Sequence, residues 1–449
     1  MTTAAHALVL LNLSAGVAYA SKVKVRKRRR SSVKAGSRKG CMTRKRRRKR
    51  VHQVYSELGC HLFRRAYRMN IETFFELFQK IKRKLFRILS YMPERQYAPN
   101  GRIHPTVFLA CAIRIFSGAQ PVDVACTYGV SITEVNYSVN HIIDAVNESD
   151  ELAISFPSSH QCQREIAEGF KRKSQAGIDA CAGAIDGLLV WIEKPTEEQC
   201  KEAGVGSAKF FCGRKKKYGF NLQATCNHRN QFTNISMMFP GATSDFLAFE
   251  ASSFRRQLEE TGFLAPGLCL FGDNAYVNRS YIATPFQNIP VNDPKDHYNF
   301  YHSQLRITIE CTFGIFVYRW GILRKPLSSR FGMKKIVLLV ECLCRLHNYL
   351  IDVRREPQAT HLPYTAEDRL QLQLDGAFEM DNNALDELGG RRALIPGQLL
   401  HGGEHFDDDP DRVQRRAIQG NYFQINLPRQ IIFDDIQEQD LRRPNRRTY

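Results

Sequence analysis

Residues 182–192 read AGAIDGLLVWI, so a single charged residue, Asp186, lies inside an otherwise apolar run. Such a run predicts a buried strand. Two further strands are predicted at 218–226 (YGFNLQATC) and 232–239 (FTNISMMF), since a polar turn of five residues separates them as in a hairpin. A short buried strand, LCLF, follows at 268–271. Helices are predicted at 244–260, 302–317 and 333–350. Meandering strands followed by a helix, a strand and further helices predict a mixed α/β (α+β) fold.

The chain before these strands is predicted to be helical. Apolar residues recur at three- and four-residue steps over 71–85, where Asn70 can cap the helix, and a second helix is predicted at 103–116. Residues 121–128, a turn opened by Gly129 and a helix over 133–146 form a helix-turn-helix pattern. The second helix is predicted to turn polar side chains outward: Thr133, Glu134, Asn136, Tyr137, Asn140 and His141.

Asn136 and Asn140 are the candidate DNA contacts of this helix, because amide side chains suit the major groove. The alternative is an ordinary helical bundle, in which helix pairs joined by a glycine turn are common.

Positive charge is concentrated at the N-terminus. The chain has 65 Lys and Arg against 45 Asp and Glu, a net charge of +20, and 17 of those basic residues fall within 1–50, which has no acid. A segment this densely charged is predicted to be disordered. Its basic blocks at 24–30 and 44–50 indicate nuclear import, contact with the DNA phosphate backbone, or both. A generic solubilising tail is the alternative.

Five segments follow from these patterns. They are a disordered basic tail (1–50), a helical region with the helix-turn-helix (51–150), a connector (151–177), a mixed α/β domain (178–354) and a polar, acidic C-terminal tail (355–449). Short apolar islands in the last segment, such as 431–433, predict that parts of it dock onto the fold.

Several protein classes are disfavoured. No run of about 18 apolar residues occurs, so a membrane-spanning helix is not expected. The 13 cysteines form no C-x-x-C pair and indicate thiols of a reducing compartment. Residues 4–20 imitate the apolar part of a signal peptide, but no Lys or Arg precedes them. A targeting role for 4–20 therefore stays open as an alternative.

Four carboxylates stand where an acid is costly or out of pattern. Asp186 lies in the apolar strand, Asp273 ends another, Asp245 follows a strand and turn, and Glu310 lies on a largely apolar helix face. Strand-end aspartates converge when their strands are neighbours, and converging carboxylates repel each other. A pair of Mg²⁺ or Mn²⁺ ions would neutralise them, since oxygen ligands select these ions over zinc.

Two such ions, about 3.5–4 Å apart, stabilise the attacking and leaving oxygens of phosphoryl transfer. The alternative is that each acid, taken alone, is a turn residue or part of a solvated helix face.

The order and spacing of eight motifs over about 178–350 carry a family resemblance. They are GAIDG (183–187), KYGFNLQATC (217–226), FPGATSD (239–245), GDNAY (272–276), NFYHS (299–303), Arg306, ECTFG (310–314) and LHN (346–348). Together they resemble the DDE nuclease domain of PIF/Harbinger transposases and Harbinger transposase-derived nucleases.

The resemblance implies an RNase H-like fold for 178–354. It also implies that Asp186, Asp273 and Glu310 are the catalytic DDE acids, with Asp245 at an additional acidic position near the metal. The chain departs from the family pattern in the Ala-Thr-Ser that precedes Asp245 and in Asn227, where an aspartate often ends the second strand. These departures leave open whether activity is full.

A second basic patch, with aromatic neighbours, enters the second strand. It comprises Arg214, Lys215, Lys216 and Lys217, which are predicted to contact the DNA backbone. The alternative is a solvated strand edge whose lysines prevent aggregation. Arg306, one turn before Glu310, is predicted to pair with a ligating carboxylate or with phosphate, and a plain surface salt bridge is the alternative. Cys342, Cys344 and His347 are predicted to be core residues, although they mimic a metal cluster.

The sequence thus predicts a nuclear, metal-dependent DNA endonuclease of transposase origin, which hydrolyses or transfers phosphodiesters. Asp186, Asp245, Asp273 and Glu310 would hold two Mg²⁺ or Mn²⁺ ions. DNA is the expected partner, and the resemblance adds a Myb-like DNA-binding protein; a homo-oligomer stays open. The alternative function is a catalytically silent, domesticated DNA-binding or regulatory protein.

Overall fold

The computed structural model describes residues 47–90, 103–290, 293–328, 331–353 and 427–443. Six helices precede the first strand: α1 (Val51–Tyr67), α2 (Ile71–Ser90), α3 (Pro105–Phe116), α4 (Pro121–Tyr128), α5 (Ile132–Asn147) and α6 (His160–Lys171). Their starts follow local signals. The Asn70 side chain accepts the Thr73 N–H at 2.8 Å, and Ser131 and Glu134 form a reciprocal capping box at α5.

The sheet contains six strands: β1 (Cys181–Trp191), β2 (Phe211–Cys212), β3 (Lys217–Cys226), β4 (Phe232–Pro240), β5 (Cys269–Phe271) and β6 (Ile282–Ala283). β3 is antiparallel to both β1 and β4, whereas β5 is parallel to β1 and β6 is parallel to β5. The order β4-β3-β1-β5-β6 results, and β2 pairs with the first residues of β3. The predicted α/β class is confirmed.

Six further helices surround or follow the sheet: α7 (Glu197–Ala203), α8 (Asp245–Glu250), α9 (Ser253–Glu259), α10 (Pro294–Arg319), α11 (Met333–Val353) and α12 (Leu427–Glu438). The single helix predicted at 244–260 is two helices. α8 ends at Glu250, and the Ser252 hydroxyl caps α9 by accepting the Arg255 N–H at 3.1 Å. None of the helices in the described ranges is long and apolar enough to cross a membrane.

The helical region and the sheet share one hydrophobic core. Phe116 of α3 meets the fully buried Trp320 edge to face, with ring centroids 6.3 Å apart. On the other side, Asn147 of α5 donates to the Leu338 carbonyl at 2.8 Å, and Lys335 pairs with Asp144 at 2.6 Å. The segments predicted at 51–150 and 178–354 therefore pack against each other through α5 and α11.

The last four residues of the predicted basic tail belong to this packed region. The Lys49 N–H donates to the Tyr128 carbonyl at 3.2 Å, and Arg48 pairs with Glu134 at 3.3 Å. Gly129 has a φ of 64°, and a Cβ there would lie 2.1 Å from the Arg47 carbonyl oxygen. The prediction of disorder is wrong for 47–50, because the helix-turn-helix turn supplies backbone and acidic partners for them. Residues 1–46 lie outside the described residues.

The exposed face of α5 is narrower than the pattern predicted. Asn136 and Tyr137 are exposed and Asn140 is partly exposed, but His141 is buried at 6% exposure. The prediction that His141 points outward is wrong. His141 lies on the side of α5 that packs into the core, where the centre of its ring is 6.1 Å from that of Phe108.

A C-terminal segment docks onto α10, as its apolar island predicted. Ile432 and Ile436 of α12 are buried, and Arg443 makes a two-pronged ion pair with Asp296 at 2.9 and 3.0 Å. The Tyr301 hydroxyl donates to the Arg442 carbonyl at 2.9 Å. The remainder of the predicted tail, 355–426 and 444–449, lies outside the described residues.

Candidate active site

Asp186 lies in the middle of β1, and Asp273 follows the neighbouring strand β5 by two residues. In the parallel pair β1–β5, Ala184 is opposite Phe271, and two further residues along each strand lead to Asp186 and Asp273. Burial raises the pKa of Asp186 to about 7, and the negative charges of Asp273 and Asp245 add to the rise. The Gly187 N–H opposes it by donating to Asp186 Oδ1 at 2.7 Å. The two aspartates thus belong to one electrostatic site.

Burial and neighbouring charges also shift the pKa of Asp273. Burial raises its pKa, and the charge of Asp245 raises it further. The Ala275 N–H, which donates to Asp273 Oδ1 at 2.9 Å, and the charge of Arg306 lower it. Both aspartates therefore resist ionisation in the absence of a cation.

Asp245 opens α8 and is held by two amide side chains of β3. Its Oδ1 accepts from Asn221 Nδ2 at 2.8 Å and from Gln223 Nε2 at 2.9 Å. Gln223 in turn accepts from the Tyr276 hydroxyl at 2.7 Å. Since both amides are buried, this network fixes one carboxylate oxygen of Asp245 and leaves the other available.

The role of these two amides was missed at the sequence level. Asn221 and Gln223 stand two residues apart on a strand whose other residues are mostly apolar, so they face the same side of the sheet. Buried amides at alternate strand positions need partners. From the sequence, one could therefore have predicted that Asn221 and Gln223 have hydrogen-bond partners, but not that the partner is Asp245.

Glu310 joins the site through Arg306. The two side chains, one turn apart on α10, pair at 2.5 Å, and 47% of the Glu310 side chain is exposed. The charge of Arg306 lowers the pKa of both Asp186 and Asp273, so its guanidinium lies within electrostatic reach of both. In the described part of the chain, no three His, Cys, Asp or Glu side chains are arranged to hold a metal ion. The structure thus couples three aspartates and pairs Glu310 with an arginine beside them.

The basic patch 214–217 forms the turn between β2 and β3, and its four side chains are exposed. Lys217 Nζ lies 3.0 Å from the centre of the Trp191 ring, a cation–π contact. The charge of Arg214 lowers the pKa of Asp273. The patch therefore lies beside the edge of the sheet that carries Asp186, Asp245 and Asp273, which we call the acidic edge.

Two other sequence candidates are structural. Asn227 holds the β3–β4 turn, because its Oδ1 accepts the N–H groups of Arg229 at 2.8 Å and Gln231 at 3.1 Å. Cys342, Cys344 and His347 are fully buried on α11, which confirms that they are core residues.

His302 is a third buried group near the site. Its Nε2 hydrogen-bonds the Ala283 carbonyl at 3.0 Å, and its ring stacks on Phe271 at 4.8 Å. Burial lowers the pKa of His302 from 6.5 to about 4. The imidazole is therefore neutral at pH 7 and supports the junction of β5, β6 and α10.

We expect His302 to make the fold sensitive to acid. The unfolded chain takes up a proton on this histidine below pH 6.5 but the folded chain does so only near pH 4, so stability present above pH 6.5 is lost as the pH falls. Between pH 7 and pH 5 this amounts to about 2 kcal/mol. Urea unfolding at both pH values should show a smaller loss for His302→Gln than for the unmodified protein. Equal losses would contradict the prediction.

Comparison with known proteins finds similarity over part of the chain. Residues 185–348 match the model of the DDE superfamily endonuclease domain. The chain is 23% identical over 253 residues to the protein described as "Protein ALP1-like" from Arabidopsis thaliana, a match that covers 54% of this chain. It spans 59% of the length of that relative. No solved structure matches the chain.

Proposed function

Because residues 185–348 constitute a DDE superfamily endonuclease domain, we propose that the chain is a divalent-metal-dependent DNA endonuclease of transposase origin. The observation that carries this proposal is the meeting of Asp186, Asp245 and Asp273 at one edge of the sheet. They come from β1, from the start of α8 and from the end of β5. The charge of Asp245 helps to raise the pKa of both Asp186 and Asp273, so the three acids form a site with too much negative charge for its burial.

The chemistry of the donor set suits a divalent cation. Its donors are all carboxylates, which suit Mg²⁺ and Mn²⁺, and the raised pKa values of Asp186 and Asp273 indicate charge that a cation would neutralise. We propose Asp186, Asp245 and Asp273 as ligands, with Glu310 as the fourth. Two bound ions would supply activation of a water or 3′-hydroxyl and stabilisation of the leaving oxygen.

The protein's own groups would prepare the site in distinct ways. The Gly187 N–H orients Asp186, and the amides of Asn221 and Gln223 orient Asp245. Arg306 neutralises part of the acidic charge and, on release of Glu310, would donate to a phosphate oxygen. Asp186, Asp273 and Glu310 are the proposed catalytic acids.

DNA would be held by the exposed cations beside the acids. Arg214, Lys215, Lys216 and Lys217 border the acidic edge and would neutralise backbone phosphates. Asn136 and Asn140 of α5 are the proposed groove contacts, and residues 47–50 place further positive charge next to that helix. A nuclear location, directed by the basic N-terminal blocks, and a Myb-like partner remain part of the proposal.

A catalytically silent DNA-binding protein is the second candidate, and the Arg306–Glu310 pair favours it. In this pair, Arg306 Nη1 lies 2.5 Å from Glu310 Oε1, so a cation of the protein itself neutralises one of the proposed catalytic acids. If the pair persists with DNA and metal bound, the chain would bind DNA without cleaving it.

Cleavage of DNA by the full-length chain tests the proposal. Supercoiled and linear duplex DNA would be incubated with Mg²⁺ or Mn²⁺ and either the unmodified chain, Asp186→Ala, or Glu202→Ala, whose carboxylate lies exposed on α7. We expect cleavage by the unmodified chain and by Glu202→Ala, and none by Asp186→Ala. Equal cleavage by all three, or none by the unmodified chain with either ion, would refute the nuclease proposal.

A further inference from the structure

Four arginines meet where the helical region joins the nuclease domain. Arg65 and Arg68 lie at the end of α1, Arg114 lies in the last turn of α3, and Arg324 follows α10. We refer to these four residues as the arginine cluster. Within the described part of the chain, none of them pairs with a carboxylate. Other arginines of the described ranges do form such pairs: Arg48, Arg87, Arg229, Arg255, Arg279, Arg306, Arg345 and Arg443.

Backbone groups hold the cluster together. Arg68, with a φ of 63°, donates through Nη2 to the Ser117 carbonyl at 3.4 Å, and Arg114 Nη1 donates to the Ala66 carbonyl at 3.3 Å. The Nε of Arg68 is buried and has no hydrogen-bond partner. The cluster is therefore held in place by the main chain and retains donor capacity that the described residues do not use.

The same contacts join the two regions. Ser117 and Gly118 lie against Gly321, so closely that a Cβ on Gly118 would be 3.3 Å from the Gly321 Cα. Arg324 follows within the same turn as Gly321 and thus comes to face α1 and α3. A small-residue contact of this kind brings positive charges from both regions to one surface.

Among the described residues, no acid offsets the repulsion within the cluster. Burial lowers the pKa of Arg68, and the charges of Arg324, Arg114 and Arg65 lower it further. Guanidinium groups held this close cost free energy unless an anion lies among them. The arrangement is typical of a surface that binds a polyanion.

An exposed aromatic ring completes the surface. Tyr318, at the end of α10, is 72% exposed, and the Arg324 guanidinium lies 5.1 Å from the centre of its ring. Arginines beside an exposed aromatic ring are characteristic of nucleic-acid binding, since the ring can stack and the guanidiniums hold phosphates.

We propose that the arginine cluster binds the phosphate backbone of the duplex that the nuclease site cleaves, to one side of the cleavage point. This inference rests on the proposed nuclease function. α10 connects the two places, because it carries Arg306 beside the acids and Tyr318 beside the cluster. Twelve helical residues separate them, about 18 Å along the helix axis. That distance corresponds to about five base pairs of duplex at 3.4 Å each.

Binding without cleavage tests the inference separately from the nuclease. Each full-length protein would carry Asp186→Ala and be titrated with a fluorescent 30-base-pair duplex in EDTA, over a range of salt concentrations. The test variant adds Arg65→Glu and Arg324→Glu, both at exposed positions. The matched control adds Arg172→Glu and Arg256→Glu, which are also exposed and form no ion pair in the described residues.

We expect the test variant to bind the duplex about tenfold more weakly than the control at physiological salt. The slope of log Kd against the logarithm of the salt concentration should decrease by about 2, since each lost phosphate contact lowers this slope by about 0.9. Matching thermal unfolding of the two variants would show that the folds are equally intact, and Arg65→Gln with Arg324→Gln should give a smaller change in the same direction.

Equal affinity and equal salt dependence in the test and control variants would overturn the inference. It would also be overturned if only binding of an acidic peptide, such as residues 400–415 of this chain, depended on the cluster. If the cluster variant loses duplex binding while no variant cleaves DNA with metal, the nuclease proposal fails and the cluster remains a DNA-binding site.

Discussion

The substitution Asp186→Asn is expected to stabilise the metal-free protein at pH 8 and to abolish its response to divalent cations. The pKa of Asp186 is about 7 in the folded chain against 3.8 for a free aspartate. An acid with a raised pKa costs stability as the pH rises from the unfolded to the folded value, and the full cost applies above pH 7. A shift of this size corresponds to roughly 4 kcal/mol. Asp186→Asn removes that cost at pH 8, and the two proteins should be equally stable near pH 4.

Divalent metal should reduce the difference in stability between the two proteins. A ligand at a hundred times its Kd stabilises the folded state by about 2.7 kcal/mol, so Mn²⁺ should raise the Tm of the unmodified chain and leave that of Asp186→Asn unchanged. Thermal unfolding at pH 4 and pH 8, with and without Mn²⁺, measures both effects. Glu202→Gln serves as the control, because its carboxylate is exposed. A less stable Asp186→Asn protein at pH 8, or an identical Mn²⁺ response, would contradict the prediction.

Alanine at position 187 is expected to lower both DNA cleavage and stability. A Cβ on Gly187 would lie 1.9 Å from Asp245 Oδ1 and 2.7 Å from Gln223 Nε2. Asp245 must therefore move off the amides that orient it, and loss of such support for a metal ligand typically costs about 10- to 100-fold in metal affinity or activity. Overpacking of a tight interior site costs about 1–3 kcal/mol.

Cleavage rates at several Mn²⁺ concentrations and urea unfolding would measure these two losses. Gly206→Ala is the matched control, because a Cβ there meets nothing within 4 Å. If Gly187→Ala cleaves DNA as the control does, with the same Mn²⁺ dependence, then the orientation of Asp245 is not needed for activity.

Much of the secondary structure was predictable because its signals are local. Pro121 and Gly129 bound α4 in the sequence and in the structure, and the β3–β4 hairpin appears around the polar turn that predicted it. The candidate site was predictable in part. Asp186, Asp273 and Glu310 stood out as acids in apolar contexts, and the motif resemblance then implied their catalytic role.

The remaining features of the site depend on which elements become neighbours. Asn221 and Gln223 were visible as strand residues, yet only the packing of α8 against β3 shows that they hold Asp245. The ion pair of Arg306 with Glu310 was one of two readings of a one-turn spacing, and it differs from the free carboxylate that a ligand requires.

By itself, the sequence determined the helices and strands, the α/β class and the acids worth testing, because the periodicity of side chains and the capping of helix ends act over a few residues. Tertiary structure decided how charges are shared. In the folded protein, Arg48 pairs with Glu134, His141 is buried and α12 docks on α10. The four arginines of the cluster lie together, and none of them pairs with a carboxylate of the described residues. Such contacts join residues far apart in the chain, and their electrostatic energy depends on distance and burial, neither of which can be calculated from spacing along the sequence.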